Sequence, residues 1–273
     1  LVGLPLPGTA GFTTLTSDLD AVLQNTGLEF TLRTVNLQRS NLEWTSSFNI
    51  SANRNKLVSY PGLEISSNAN RYVVGQSINI SKLYQYNGIN PQTHAYTYLD
   101  FNNDGQFTIA DRMALVNLNP KYFGGLQNQL TYKNLKLDFL FQFVSQKAFS
   151  HTPAAPGTIF NQPADLNYFW QQSENTAGYQ NLTSGRNSAL NTAYSLYRTS
   201  DAAVEDASYI RLKSVSLTYK VPQVFSKDVK CVLYIQGQNL LTFSKFKGGD
   251  PEYKFAGYLP PLRTYTAGIQ LTF

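Results

Sequence analysis

The sequence predicts an all-β fold: part of a transmembrane antiparallel β-barrel, the C-terminal portion, with about seven strands and long extracellular loops. Three observations predict it. Charged side chains are scarce while aromatic and amide side chains abound. Apolar and polar residues alternate in segment after segment. Short links between those segments alternate with long ones.

The 273 residues suffice for one large domain. Charged residues make up 14% of them, where an average soluble domain has roughly 25%. Asn, Gln, Ser and Thr fill the gap, beside 18 Tyr and 17 Phe. A barrel in a bilayer favours this balance, because its outer face meets lipid between aromatic girdles and its inner face is polar. No apolar run reaches the ~18 residues of a transmembrane helix. The net charge of +5 is scattered, with no dense basic patch, which argues against a nucleic-acid partner. Cys231 is the only cysteine, so no internal disulfide forms. The chain opens Leu1-Val2-Gly3, with no basic n-region. It is expected to be a fragment of a longer chain, its earlier strands absent.

In chain order, Leu28, Phe30 and Leu32 alternate with Glu29, Thr31 and Arg33, predicting a strand over 28–36. Leu42, Trp44, Ser46, Phe48 and Ile50 alternate with polar neighbours over 42–52. Strands follow near 122–132 and over 135–144, where Leu135, Leu137, Phe139, Phe141 and Phe143 share one face. Val215, Leu217 and Tyr219 mark another near 208–221. Its upstream half puts Arg211 and Lys213 on the apolar face. They must lie at the membrane edge or beyond a bulge that switches faces, since a charge at mid-bilayer costs about 2–4 kcal/mol. A further strand is expected near 229–243. The last, over 265–273, aligns Tyr265, Ala267, Ile269, Leu271 and Phe273.

Polar turns around Gln38-Arg39-Ser40, Lys133-Asn134 and Pro222 join neighbouring strands, while roughly 53–121, 145–207 and 244–262 are long loops. In outer-membrane barrels the periplasmic turns are short and the extracellular loops long. With the C-terminus at the periplasmic end, residues 1–27 fall in an outer loop. Two other readings compete: a structural or adhesive barrel without transport, and a soluble carbohydrate-binding β-domain. A sandwich, however, spaces its strands every 8–12 residues.

Asp100, Asn102, Asp104, Gly105, Gln106 and Asp111 have the spacing of a calcium loop. Positions one, three and five supply side-chain oxygens, Gly makes the sharp turn, and Gln106 offers its carbonyl. Asp111 stands where EF-hands favour Glu, as in dockerin-type loops. The competing expectation is an Asx-rich turn. Tyr168-Phe169-Trp170 in the 145–207 loop offers a sugar-stacking platform, with Tyr168 and Trp170 as substrate-binding candidates, against plain loop packing. His94 and His151, the only histidines, show no catalytic or metal spacing, and no nucleophile motif is present. The chain is not expected to be an enzyme.

Three segments together carry a resemblance. They are Tyr98–Arg112 with Asn119-Pro120 and Phe123-Gly124-Gly125, Val204–Tyr219, and Gly237-Gln-Asn-Leu-Leu-Thr-Phe243 followed by Gly249-Asp-Pro-Glu252 and the terminal strand. In order and spacing they resemble the C-terminal region of the SusC/RagA family of TonB-dependent outer-membrane transporters. The resemblance implies a barrel of about 22 strands closed by a plug. It implies import of a glycan or peptide under a SusD-like surface lipoprotein, driven through TonB by way of the missing N-terminal part. Lipid and lipopolysaccharide would surround the barrel in the bacterial outer membrane.

Overall fold

The structure is a computed structural model. It describes residues 2–5, 7–18, 20–150, 155, 158, 180–181, 183–222, 229–247, 249–254 and 258–272. A small hairpin pairs β1 (Val2–Pro5) with β2 (Thr14–Ser17). The main strands are β3 (Val22–Arg39), β4 (Leu42–Ser59), β9 (Tyr122–Tyr132), β10 (Leu135–Ser145), β13 (Tyr209–Val221), β14 (Lys230–Ser244) and β15 (Thr264–Thr272). They form one antiparallel sheet in the order β15-β14-β13-β10-β9-β4-β3, so each strand pairs with its nearest neighbours in the sheet's own sequence. The remaining strands pair two by two: β5 (Ile80–Leu83) with β8 (Ala114–Asn117), β6 (Tyr86–Ile89) with β7 (Tyr96–Tyr98), and β11 (Lys147–Phe149) with β12 (Val204–Asp206). One helix, α1 (Ser188–Tyr197), is capped by Asn187, whose side chain accepts from the Leu190 amide.

The seven expected strands are present, with one systematic difference. β3 begins at Val22, not 28, and β4 runs to Ser59, not 52, so residues 22–27 and 53–59 are strand where loop was expected. The first loop, too, is partly a hairpin. Alternation marks a strand only where one face is apolar and the other polar. In Asn53-Arg-Asn-Lys56 both faces are polar, and backbone pairing alone continues the ladder. Strands of 9–11 residues cross a bilayer, which matches β9, β10 and β15; β3 and β4 extend beyond that length. Among the described residues no helix is long and apolar enough to cross a membrane.

The pairings put the apolar residues on a single face. Leu137 lies opposite Leu217 and Leu130, Phe141 opposite Leu212 and Leu126, and Leu233 opposite Ile269. No second large sheet covers that face among the described residues. Tyr265 and Ile269 are 71% and 68% exposed. The accessible surface of 18564 Å² is well above the ~12,000 Å² of a compact monomer of this mass. Burial between two sheets, the condition that would make this a sandwich, does not occur here. At Gly124 the face needs a missing Cβ, which would collide with the Asn49 carbonyl oxygen and the Phe143 ring. That ring stacks on Phe48 at 5.8 Å.

One polar patch interrupts the apolar face. Asn36 donates to Ser46 Oγ (2.6 Å), and both Ser46 Oγ (2.6 Å) and Trp44 Nε1 (3.0 Å) donate to Asn128 Oδ1. Their neighbours on that face are apolar and offer no partner, so these groups satisfy one another.

Arg211 and Lys213 are placed by a bulge. Leu140 faces Ser214 and Phe141 faces Leu212, which leaves Lys213 as the extra residue on β13. The alternation flips there. Ile210 and Leu212 join the face of Val215 and Leu217, and Arg211 turns to the opposite, polar face beside Gln142.

Candidate functional site in the long excursions

The antiparallel order gathers the three long connections at one end of the sheet: 60–121, 146–208 and 245–263. Short turns close the other end at Ser40-Asn41 and Lys133-Asn134, so Gln38 and Arg39 belong to β3 and not to its turn. The excursions pack on one another.

Their shared core is aromatic. Tyr84, Tyr96, Tyr98, Ala193 and Tyr194 are buried together, with Tyr86 and Tyr197 packed against them. Tyr96 stacks on Tyr197 at 4.6 Å, and Tyr98 donates its hydroxyl to the Ala193 carbonyl at 2.6 Å. Main-chain bonds join the same pieces: Tyr84 donates to Thr199, and Asp201 to Tyr84. Burial pushes the Tyr96 and Tyr98 phenols well above their ordinary range, so they stay neutral donors. This cluster was not expected from the sequence; its visible trace there is the two-residue spacing of Tyr84 with Tyr86 and of Tyr96 with Tyr98.

The 100–111 loop rests on that core through Phe107, whose ring meets Tyr98 at 5.7 Å and Tyr84 at 6.4 Å. Arg112 lies over Tyr84. Asp100, Asn102 and Asp104 each tie one oxygen to a following amide. Asp100 Oδ2 accepts from Gly105 (2.7 Å), Asn102 Oδ1 from Asp104 (3.2 Å) and Asp104 Oδ1 from Gln106 (2.7 Å). Asp100 Oδ1 is buried and accepts nothing. Asp111 is 0% exposed. It closes the loop as an acceptor, Oδ1 from the Phe101 amide (3.0 Å) and Oδ2 from the Thr108 amide (2.8 Å). The Thr108 amide, then the Phe101 amide, hold its carboxyl below the usual carboxylate range against the opposing effect of burial. Among the described residues no three His, Cys, Asp or Glu side chains converge as a metal centre. Asn102 Nδ2 donates to Asp104 Oδ2 at 2.8 Å, so both Asp104 oxygens accept within the loop, and Asp100 Oδ1 is the carboxylate oxygen left over between Asp100 and Asp104.

The third excursion is clamped to the sheet by charges. Arg211, 1% exposed, meets Glu252 through Nη1 and Asp250 through Nη2, both at 2.5 Å. It also donates from Nε to Thr242 Oγ1 at 3.0 Å. Lys213 reaches Glu252 at 3.2 Å. Beside them Gln146 donates to the Pro251 carbonyl, and Lys254 to the Leu118 carbonyl. This junction was not expected, although its parts stand in the sequence as Arg211, Lys213 and the Gly249-Asp-Pro-Glu252 segment. What joins them is a contact across about forty residues, which periodicity does not reveal.

Tyr168, Phe169, Trp170 and His151 lie outside the described residues. His94 sits in a turn with φ 52°, its amide donating to the Asn90 carbonyl. The described side chains supply binding surface and no nucleophile–base pair.

No protein-family model matches the chain. It is 27% identical over 315 residues to TonB-dependent receptor P3 of Formosa agariphila, across 98% of this chain and 30% of that protein. It is 28% identical to TonB-dependent receptor P26 of the same organism, across 100% of this chain and 31% of that protein. To TonB-dependent receptor SusC of Bacteroides thetaiotaomicron it is 25% identical over 92% of the chain and 26% of that protein. The chain therefore spans less than a third of each of these relatives. In structure it is similar to the RagAB peptide transporter, with a TM-score of 0.77 over 99% of the chain and 31% of the solved chain, at 22% identity. A second RagAB structure, titled the peptide importer in a closed-closed state, matches with a TM-score of 0.74 at 21% identity over 99% of the chain. The resemblance to SusC/RagA-type TonB-dependent transporters is borne out in sequence and, independently, in fold.

Proposed function

We propose that this chain is a section of the wall of an outer-membrane TonB-dependent importer, carrying extracellular loops that help receive a bulky nutrient. The observation that supports it best is the single-layer sheet, apolar on one face, whose long connections all lie at one end. The remaining strands of a closed barrel would come from the rest of the protein. The cargo is a glycan or peptide, and a SusD-like lipoprotein covers the loops, as the SusC/RagA resemblance implies; a peptide is the cargo named for RagAB. TonB would act elsewhere in the whole protein. Surface labelling of intact cells tests the topology. Cysteines placed at Gly249 and Asn102 are expected to react, and one at Asn134 is not. Labelling at Asn134 alone would invert the arrangement.

The same reading includes a calcium ion in the 100–111 loop. The buried, unpartnered Asp100 Oδ1 supports it, since a desolvated carboxylate oxygen without a donor calls for a cation. Asp104, the Asn102 amide and the Gln106 carbonyl are the further oxygens in reach of the motif. Calcium would fix the turn that seats Phe107 on the tyrosine core. Hydrogen exchange of residues 100–108 is expected to slow in millimolar calcium relative to chelator, and Asp104→Ala is expected to abolish the difference. Equal exchange in both conditions, for the unaltered protein, would leave an Asx turn and no ion.

A further inference from the structure

The outward face continues beyond the apolar band, and there it turns basic. β4 carries no extra residue between Leu42 and Leu57, so Arg54 and Lys56 lie on the same face as Phe48 and Ile50. Lys147 opens β11, two residues past Ser145, the last residue of β10, and Lys121 immediately precedes Tyr122 at the top of β9. These four side chains are exposed. They line one open cleft of about 940 Å³, together with Tyr122 and several amide side chains, and no Asp or Glu lines it. None of the four is within ion-pair distance of a carboxylate among the described residues. The nearby acid is Asp206, opposite Lys147 in the β11–β12 pair. Its carboxylate accepts from the Ser208 amide and is attracted by Lys245 and Lys121.

Asp206 offsets part of the charge of Lys121 and Lys147, and the cations around the cleft otherwise repel one another unless an anion sits among them. Gln24, Thr26, Arg54, Lys56 and Tyr122 line it from the face that carries Phe30, Ile50 and Phe143, and Asn53 and Asn55 line it from the other face. We propose that it binds the phosphate-bearing headgroup of an outer-leaflet glycolipid, lipopolysaccharide. This rests on the barrel reading above. Arg54 offers a planar fork suited to two phosphate oxygens, and the three lysines offer compact charges. A headgroup anchored by its acyl chains reaches such a rim at high local concentration. A free anion lacks that advantage, so the lipid is the occupant that the position favours.

The test uses the full-length protein that contains this chain, in nanodiscs with lipopolysaccharide, with bound lipid counted by native mass spectrometry. Changing Arg54, Lys56, Lys121 and Lys147 together to Gln is expected to lower the bound ratio about tenfold or more. A variant with Arg54→Lys and Lys56, Lys121 and Lys147→Arg is expected to keep it. Dephosphorylated lipopolysaccharide is expected to bind as weakly to the unaltered protein as native lipid does to the Gln variant. Equal retention by the Gln variant would overturn the site. So would displacement of the lipid by millimolar inorganic phosphate, which would make the occupant a soluble anion. Heat-dependent gel migration in detergent is read in parallel. A protein that folds as a barrel but holds no lipid refutes this site alone, whereas one that folds without detergent refutes the barrel as well.

Discussion

Replacing Arg211 with Met is expected to cost about 3–5 kcal/mol and to release residues 246–254 from the sheet. Asp250, whose side chain is 8% exposed, would lose its cation and remain desolvated. Glu252 would keep only Lys213, and Thr242 Oγ1 would lose a donor. Buried charge is expensive mainly when one partner is removed, so the loss exceeds the net worth of the pair. Lys213→Met is the contrast. That side chain is 36% exposed, and its removal is expected to cost less than about 1 kcal/mol. Hydrogen exchange across 246–254, with global unfolding measured alongside, separates the two. Arg211→Met behaving like Lys213→Met would mean that the clamp contributes nothing. Changing Arg211, Asp250 and Glu252 together to apolar residues is expected to recover much of the loss, because no charge is then left buried.

Phe139→Arg is expected to destabilise the barrel by about 2–4 kcal/mol. Phe139 lies mid-strand in β10, opposite Val215 on one side and Asn128 on the other, with Phe141 edge-on at 5.9 Å. A guanidinium there would stand in the hydrocarbon, beyond the polar rim at either end. Lys136→Arg, on the opposite face, is expected to change stability by no more than a few tenths of a kcal/mol. Folding into lipid vesicles across a denaturant series measures both. Equal stability of Phe139→Arg and the unaltered protein would show that this face does not meet lipid.

What the sequence made legible, and what it did not, follows the physics of each region. The strand cores from Leu28 to Leu32 and from Leu135 to Phe143 could be read because apolar and polar residues alternate there without a break. Where both faces turn polar that signal ends, and Asn25 and Asn53–Asn55 look like loop although they are paired strand. The bulge at Lys213 was foreseen as one of two ways to accommodate Arg211. Its carboxylate partners were not, since Asp250 and Glu252 are distant in sequence. In the 100–111 segment the Asx spacing was visible. That Asp111 is fully buried and accepts two loop amides was not, because only the folded turn brings Phe101 and Thr108 to its oxygens.

The tyrosine core has a consequence for how such loops diversify. Tyr84, Tyr86, Tyr96 and Tyr98 come from one excursion, and Ala193, Tyr194 and Tyr197 from the next. Lys254, in the third, is tied to Leu118 in the first. The packed stretches 84–98 and 193–197 cannot be resized one without the other, because either change would open a void or a clash in the shared core. A new recognition surface would have to be inherited or transplanted as a matched set of three, with the strands beneath left as they are.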